Sequence, residues 1–286
     1  MKGDQNMAIT VNTNMQALRI QQNLTTATKK MNQAMERMSS GSKINCAGDD
    51  AAGYAVSTTL SKTISSSEVA SDNVAIGTDL LSTTEGTLDV ILKNLERVRD
   101  LTEQASNGTY SSDDLDAIAA EVQARLEEIE DLATATTFNG KSLLDNTCSD
   151  GIALQIGTET GESLKLDGSI FESVNLDSID TELAATIKAG VTSDISDFLN
   201  TLDTTISNVT GRITDIGALS NRLEAVANGL EVQQMNLTSA LSTILDTDVA
   251  KESAAYVQQQ ILQSASATLL VQANSAPQIA LTLIQS

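Results

Sequence analysis

The chain has 286 residues with no His, no Trp, one Pro and only 2% aromatic residues, a composition without the large side chains that usually fill a thick globular core. A formal net charge of -21 repels phosphate backbones and anionic lipid headgroups, so nucleic acid and membrane surfaces are excluded as partners. The lack of His removes Ser-His-Asp catalysis and the common zinc-protease sites, and Cys46 and Cys148 are too far apart for a metal spacing or a dense disulfide framework.

The first thirty residues hold no continuous apolar segment of the kind a general secretory signal needs, and no run of 18 apolar residues occurs. If the protein is exported, a dedicated machine must read something else. Apolar side chains then recur at Ala17, Ile20, Leu24, Ala27, Met31, Ala34 and Met38, alternating steps of three and four. That is the heptad stripe of a packed helix. It stops at Ser39-Ser40-Gly41, where a glycine suited to positive φ ends the helix.

The stretch SSGSKINCAGDDAAG, residues 39–53, follows. Gly41, Gly48 and Gly53 suit turns, and Asp49 and Asp50 suit the cap of a following helix. A paired-carboxylate acid/base or metal site would need a third acid or a His nearby, which is missing, so the stretch reads as a structural hinge.

A second stripe runs through Val74, Gly77, Leu81, Thr84, Leu88, Ile91, Leu95 and Val98, starting upstream near Leu60 and Ile64 and ending at Ser106-Asn107-Gly108. Ser112-Asp113-Asp114 opens the next helix, with acids in its first turn where the backbone dipole favours them. Leu115, Ile118, Val122, Leu126 and Ile129 line that helix, which closes at Phe138-Asn139-Gly140. A short loop between two helices predicts antiparallel neighbours.

From residue 150 the period changes to two. Ile152, Leu154 and Ile156, then a GTETGE loop, then Leu164 and Leu166 predict a β-hairpin. Residues 167–192 read as polar and irregular. A long helix follows from Ile195 through Leu199, Leu202, Ile206, Val209, Ile213, Ile216, Leu223, Ala227, Leu230, Leu237 and Leu241 to Ile244, interrupted only at Ser220 and Gln234 and about 75 Å long. After Asp246-Thr247-Asp248 a last helix carries Ala250, Ala254, Val257, Ile261, Ala265 and Leu269 on one face and is expected to end near Asn274 and Pro277. The fold class is therefore mainly α, an elongated antiparallel helical bundle or coiled coil with a small β-hairpin at its middle. The two end helices have weak seams and need partners, because a narrow stripe offsets little of the ordering entropy.

The segments ITVNTNMQALRIQQNL, AMERMSSGSKINCAGDDAAGYAVSTTL, LLSTTEGTLDVILKNLERVRDLTEQASNGTYSSDDLDAIAAEVQARLEEIEDLATATTFNG and ILQSASATLLVQANSAPQIALTLI, in this order, resemble bacterial flagellin. The likeness covers roughly residues 8–170 and 200–286. It implies a structural subunit of the flagellar filament, extracellular and without enzyme activity or cofactor, of the compact form that lacks large outer domains. It implies inner-tube helices at 1–48 and 247–286, an outer helical rod at 49–246, and inner-tube packing by Ile20, Leu24, Met31, Val257, Ile261 and Leu269.

The same resemblance makes Gly41, Asn45, Asp49, Asp50 and Gly53 the connector between the two tubes, with Cys46 and Gly48 departing from the usual pattern. It makes Arg97, Leu101, Glu121 and Arg125 a surface for neighbouring subunits and for an animal innate receptor, with Glu96 where Gln is common. The implied partners are further copies of the chain, the flagellar type III export machinery and its chaperone, the cap and hook-junction proteins, and the host receptor. The hook-filament junction protein of the same assembly, or a non-flagellar coiled-coil scaffold, is the alternative reading.

Overall fold

The computed structural model of the chain describes residues 13–159, 161–174, 176, 179–190 and 192–285, with residues 180–181, 192–194 and 276–285 described by backbone alone. The beginning of the ITVNTNMQALRIQQNL stretch lies outside these residues. The described elements are α1 (Met15–Ser40), α2 (Ala51–Ala105), α3 (Ser112–Ala135), β1 (Thr137–Phe138), β2 (Lys141–Ser142), β3 (Ile152–Gln155), β4 (Ser163–Leu166), α4 (Asp180–Ala189), α5 (Thr192–Leu245) and α6 (Val249–Gln285). The chain is mainly α, as its periodicity predicts. No described helix is long and apolar enough to cross a membrane.

Two compact units form, one from residues 63–236 and one from residues 1–62 and 237–286. The first holds the large core. In α2 the positions Ala70, Val74, Leu81, Leu88, Ile91, Leu95 and Val98 are all buried, continuing the predicted alternation to Ala105. In α5 the buried positions are Ile195, Leu202, Val209, Ile216, Leu223 and Leu230, a strict seven-residue interval. Arg99 Nε donates to Asp203 Oδ1 at 2.5 Å and Gln234 Nε2 to Glu68 Oε1 at 3.0 Å, so α2 and α5 run antiparallel in a fixed register.

The α3 helix lies antiparallel on another flank of α2. Arg97 Nε donates to Glu121 Oε1 at 3.1 Å, Arg125 Nη1 to Asn94 Oδ1 at 3.0 Å, and Thr136 Oγ1 to Thr87 Oγ1 at 3.2 Å. The start of α3 is a capping box, with Ser111 as the cap and Asp114 reaching back to the Ser111 N–H. Those bonds hold the Asp114 carboxyl below its ordinary range, the Ser111 hydroxyl contributing most.

The predicted hairpin forms, with Ile152 opposite Leu166 and Leu154 opposite Leu164. Its inward side chains reach the helices. A β-carbon at Gly77 would overlap Leu154 Cδ1, so the missing side chain in the α2 seam is the notch that receives the hairpin. The predicted turn at Phe138-Asn139-Gly140 is a second tiny hairpin, with β1 paired to β2 through a two-residue loop in which Asn139 has φ 50° and Gly140 φ 77°.

The segment 167–192 is less irregular than its composition suggests. Gly168–Phe171 forms a 3-10 turn, and α4 buries Leu183, Ala184 and Ile187 against α3 before Gly190 ends it at φ 65°. Arg212 of α5 donates to the carbonyl of Glu172 at 2.5 Å, tying this segment down, and burial pushes its guanidinium pKa down. One further departure concerns α6, which continues through Asn274 and Pro277 to Gln285. A single Pro removes one N–H from the helical ladder, and the remaining bonds carry the helix past it.

The division of charge follows the two units. Residues 63–236 hold 9 of the 17 Lys and Arg and 31 of the 38 Asp and Glu, a net of -22, while the other unit holds 8 and 7, a net of +1. After Glu252 the chain has no charged side chain at all.

Candidate functional site

The terminal unit is built on α1 and α6, which lie antiparallel with their backbones within 8 Å of each other. Such close approach follows from the small residues of the seam. Ala27 and Ala34 are the fully buried positions of α1, flanked by half-buried Ala17, Ile20, Leu24, Met31 and Met38. Three polar ties fix the register. Asn14 Nδ2 donates to the Ala273 carbonyl at 2.7 Å, Gln263 Nε2 to Thr28 Oγ1 at 3.0 Å, and Arg37 pairs with Glu252 at 3.5 Å.

The face that α6 turns toward α1 is not the Val257, Ile261 and Leu269 stripe. Its shielded positions are Glu252, Ala255, Tyr256, Gln259, Gln263, Ser266, Leu270 and Ala273. Val257, Ile261 and Leu269, read from the sequence as seam residues, are 48%, 63% and 55% exposed. At 100° per residue their stripe lies nearly opposite the shielded one. The cause is that α6 carries two faces, and the more polar one finds specific partners in Thr28 and Arg37 while matching the small alanines of α1. The more apolar face, with exposed Leu262 and Val271 at its two edges, stays in water. Ile20, Leu24 and Met31 do line the intramolecular seam.

Gly41, Asn45, Asp49, Asp50 and Gly53 lie in or beside the turn between α1 and α2, and the glycines there do not all serve the turn geometry expected of them. Gly41 has φ 72° and closes α1 with its N–H on the Arg37 carbonyl. Gly48 and Gly53 do not have positive φ. At Gly53 a β-carbon would stand 2.6 Å from both Ile44 Cδ1 and Asp50 Oδ2, so a larger residue would have to displace those two side-chain ends. Asp50 caps α2, accepting from Ala52 N and Gly53 N at 3.1 Å each.

Asp49 organises the turn. Its carboxylate accepts from the N–H groups of Asn45 and Cys46 and from the Gln33 amide, and these bonds, that of Asn45 foremost, lower its pKa from the ordinary 3.8. Sequence reading missed the second half of this site. Lys43 N donates to the Leu245 carbonyl at 2.6 Å and Thr247 N to the Gly41 carbonyl at 3.0 Å, so the outgoing and returning crossings form a two-stranded bridge at Ser42 and Asp246.

The third predicted group divides. Arg97, Glu121 and Arg125 are surface residues engaged with each other or with Asn94 across α2 and α3. Leu101 is not a surface residue. It is 2% exposed, because Thr87, Asn94 and Leu101 form a seven-spaced row on the flank of α2 along which α3 and its C-terminal cap lie. Among the described residues no cluster of acids and cysteines is fit to hold a metal ion.

Residues 11–149 match the family profile described as the bacterial flagellin N-terminal helical region, and residues 199–284 match the bacterial flagellin C-terminal helical region. A flagellin of Halalkalibacterium halodurans is 37% identical over 281 residues, covering 96% of this chain and 99% of its own. The chain belongs to the flagellin family. A Bacillus subtilis flagellin is 35% identical, again over 96% of this chain and 99% of its own. As a family member the chain is a structural subunit of the bacterial flagellar filament, extracellular and not an enzyme, and it self-assembles into a polymer. Its compact length matches these flagellins, without a large outer domain. A Vibrio parahaemolyticus structure described as a flagellar hook-associated protein has TM-score 0.61 and 20% identity, covering 69% of this chain and 100% of its own, which is a likeness of fold alone.

Proposed function

We propose that polymerisation runs through the outward face of α6. Val257, Ile261 and Leu269 would pack against the terminal helices of neighbouring copies, and residues 1–48 and 247–286 would form the inner layer of the filament, with 49–246 outside. The observation that carries this reading is the inversion of α6, whose more apolar face is left uncovered within the chain while the polar one is used on α1. A contact of unlike patches that does not close on itself generates an open helical polymer. The near-neutral terminal unit suits a crowded interior, whereas acidic units of neighbouring copies packed as closely would repel one another. Ordering of the terminal segments would be completed on assembly, offset by burial of the stripe. Limited proteolysis tests this: the termini are cut well before residues 63–236 in the monomer and become resistant in the filament, and equal resistance in the monomer refutes it.

We further infer export as an unfolded chain by the flagellar type III machinery with its chaperone, and end contacts with cap and hook-junction proteins. These rest on family membership. The exposed charge pair Arg97 and Glu121 with Arg125 supports a lateral contact to a neighbouring subunit or to a host innate receptor, since exposed charges contribute when a partner supplies the complement. Leu101 would act there only by supporting α2 from within.

A further inference from the structure

The chain contains three Asn-Gly dipeptides, at 107–108, 139–140 and 228–229. All three asparagines are exposed, and a β-carbon added at any of the three glycines would meet nothing within 4 Å. All three lie in the acidic unit, so they share one charged background. What separates them is the backbone. Asn228-Gly229 sits inside α5, where the glycine N–H belongs to the helical ladder. Asn139-Gly140 forms the two-residue loop between β1 and β2, with both residues at positive φ and the strands closed on either side. Asn107-Gly108 lies in the turn between α2 and α3, at ordinary φ for Asn107, where the bonds present are Asn107 N to Gln104 O and Thr109 N to Asn107 O. Among the described residues nothing holds the Gly108 N–H.

We propose that Asn107-Gly108 is a self-modification site that deamidates with water as the only co-reactant, ahead of Asn139-Gly140 and far ahead of Asn228-Gly229. The Gly108 nitrogen loses its proton and attacks Cγ of Asn107, a new N–Cγ bond closes a five-membered imide, and the Cγ–Nδ2 bond breaks to release ammonia. Water then adds to one of the two imide carbonyls and opens the ring to an aspartyl or isoaspartyl residue, with no change of oxidation state. Glycine favours the attack because no side chain shields its nitrogen. Ring closure requires the Asn ψ to swing well away from its helical value, which the turn at 107 permits, which the hairpin loop at 139 permits after leaving its left-handed conformation, and which α5 permits only by local opening. Each event adds a negative charge to a unit already at -22, and the isoaspartyl form lengthens the backbone of the α2–α3 turn by one methylene. In an extracellular polymer this chemistry records the age of each subunit.

Purified full-length protein, kept dilute and monomeric in mildly alkaline buffer at growth temperature, is sampled over weeks and mapped by peptide mass, each event adding about 1 Da. The expected order of conversion is 107, then 139, then 228, with 228 slower than 107 by about tenfold or more. A parallel sample in concentrated urea should bring the three rates together. Gly108→Val should slow conversion at 107 by about fivefold or more and leave the other two sites unchanged. Conversion at 228 keeping pace with 107 in the folded protein, the same ranking in urea, or an unaltered rate at 107 in Gly108→Val each overturns the assignment.

Discussion

Replacing Ile261 separates the stability of the single chain from that of the polymer. The side chain is 63% exposed and touches little of its own molecule, so Ile261→Ala and Ile261→Asp should each change monomer stability by no more than about 0.5 kcal/mol. In the filament the uncovered fraction becomes available for burial. Full burial of an Ile is worth about 1.5–3 kcal/mol, so the share still exposed in the monomer corresponds to about 1–2 kcal/mol per subunit. At about 1.4 kcal/mol per factor of ten, Ile261→Ala raises the critical concentration for polymerisation about five- to thirtyfold. Ile261→Asp adds an unpaired carboxylate at a closed interface, a further cost of several kcal/mol, and should abolish filaments at attainable concentrations. Seeded polymerisation followed by sedimentation gives the critical concentration, and far-ultraviolet dichroism gives the monomer melting curve. Wild-type polymerisation by Ile261→Ala would refute the reasoning, as would a monomer of either variant that melts many degrees lower, because the residue would then belong to the chain's own core.

Leu101→Ala leaves a cavity between α2 and α3 and should cost about 2–5 kcal/mol in the central unit, whereas Arg97→Ala removes only an exposed pair worth about 0–1 kcal/mol; urea unfolding of the two variants distinguishes a core residue from a surface one. The Asp49 carboxylate has a depressed pKa, so its contribution to the connector is complete above the ordinary 3.8 and is lost as pH falls through the lower folded value; protease cleavage within residues 41–50 should rise over that acid range, and Asp49→Asn should show the faster cleavage already at neutral pH. The acidic unit, at -22, predicts that added salt lowers the critical concentration until screening lengths reach about 10 Å near 0.1 M, with smaller changes beyond; a critical concentration insensitive to salt below that level would show that the acidic units do not approach one another.

Long periodic features were the most legible. The α2 and α5 seams repeat over many turns, so each position confirms the next, and alternation at Ile152, Leu154, Leu164 and Leu166 marked the hairpin, whose pairing sets Ile152 opposite Leu166 and Leu154 opposite Leu164. The reading was weaker where a decision depends on the partner. Periodicity located the Val257, Ile261 and Leu269 stripe on one side of a helix but carries no information on whether α1 or another molecule covers that side. The resemblance placed Leu101 on a surface, and the pattern on α2 could have corrected it, since the row from Leu80 to Leu101 has the seven-residue interval of a second covered flank. The bridge from Ser42 to Asp246 joins positions more than 200 residues apart through backbone atoms, which leaves no side-chain pattern to read. The short α4 has one buried cluster and no second turn of pattern to set it apart from a loop.

The fixed interval between the buried residues of α5, from Ile195 to Leu230, makes length a quantised property of this molecule. Inserting one residue between two of those contacts would rotate everything downstream by 100° and turn the greasy edge away from α2, whereas seven inserted residues would restore it after two full turns. Viable lengthening or shortening of the central bundle should therefore come in sevens, matched on both helices, and engineered rulers of graded reach are accessible from this chain only in steps of roughly 10 Å.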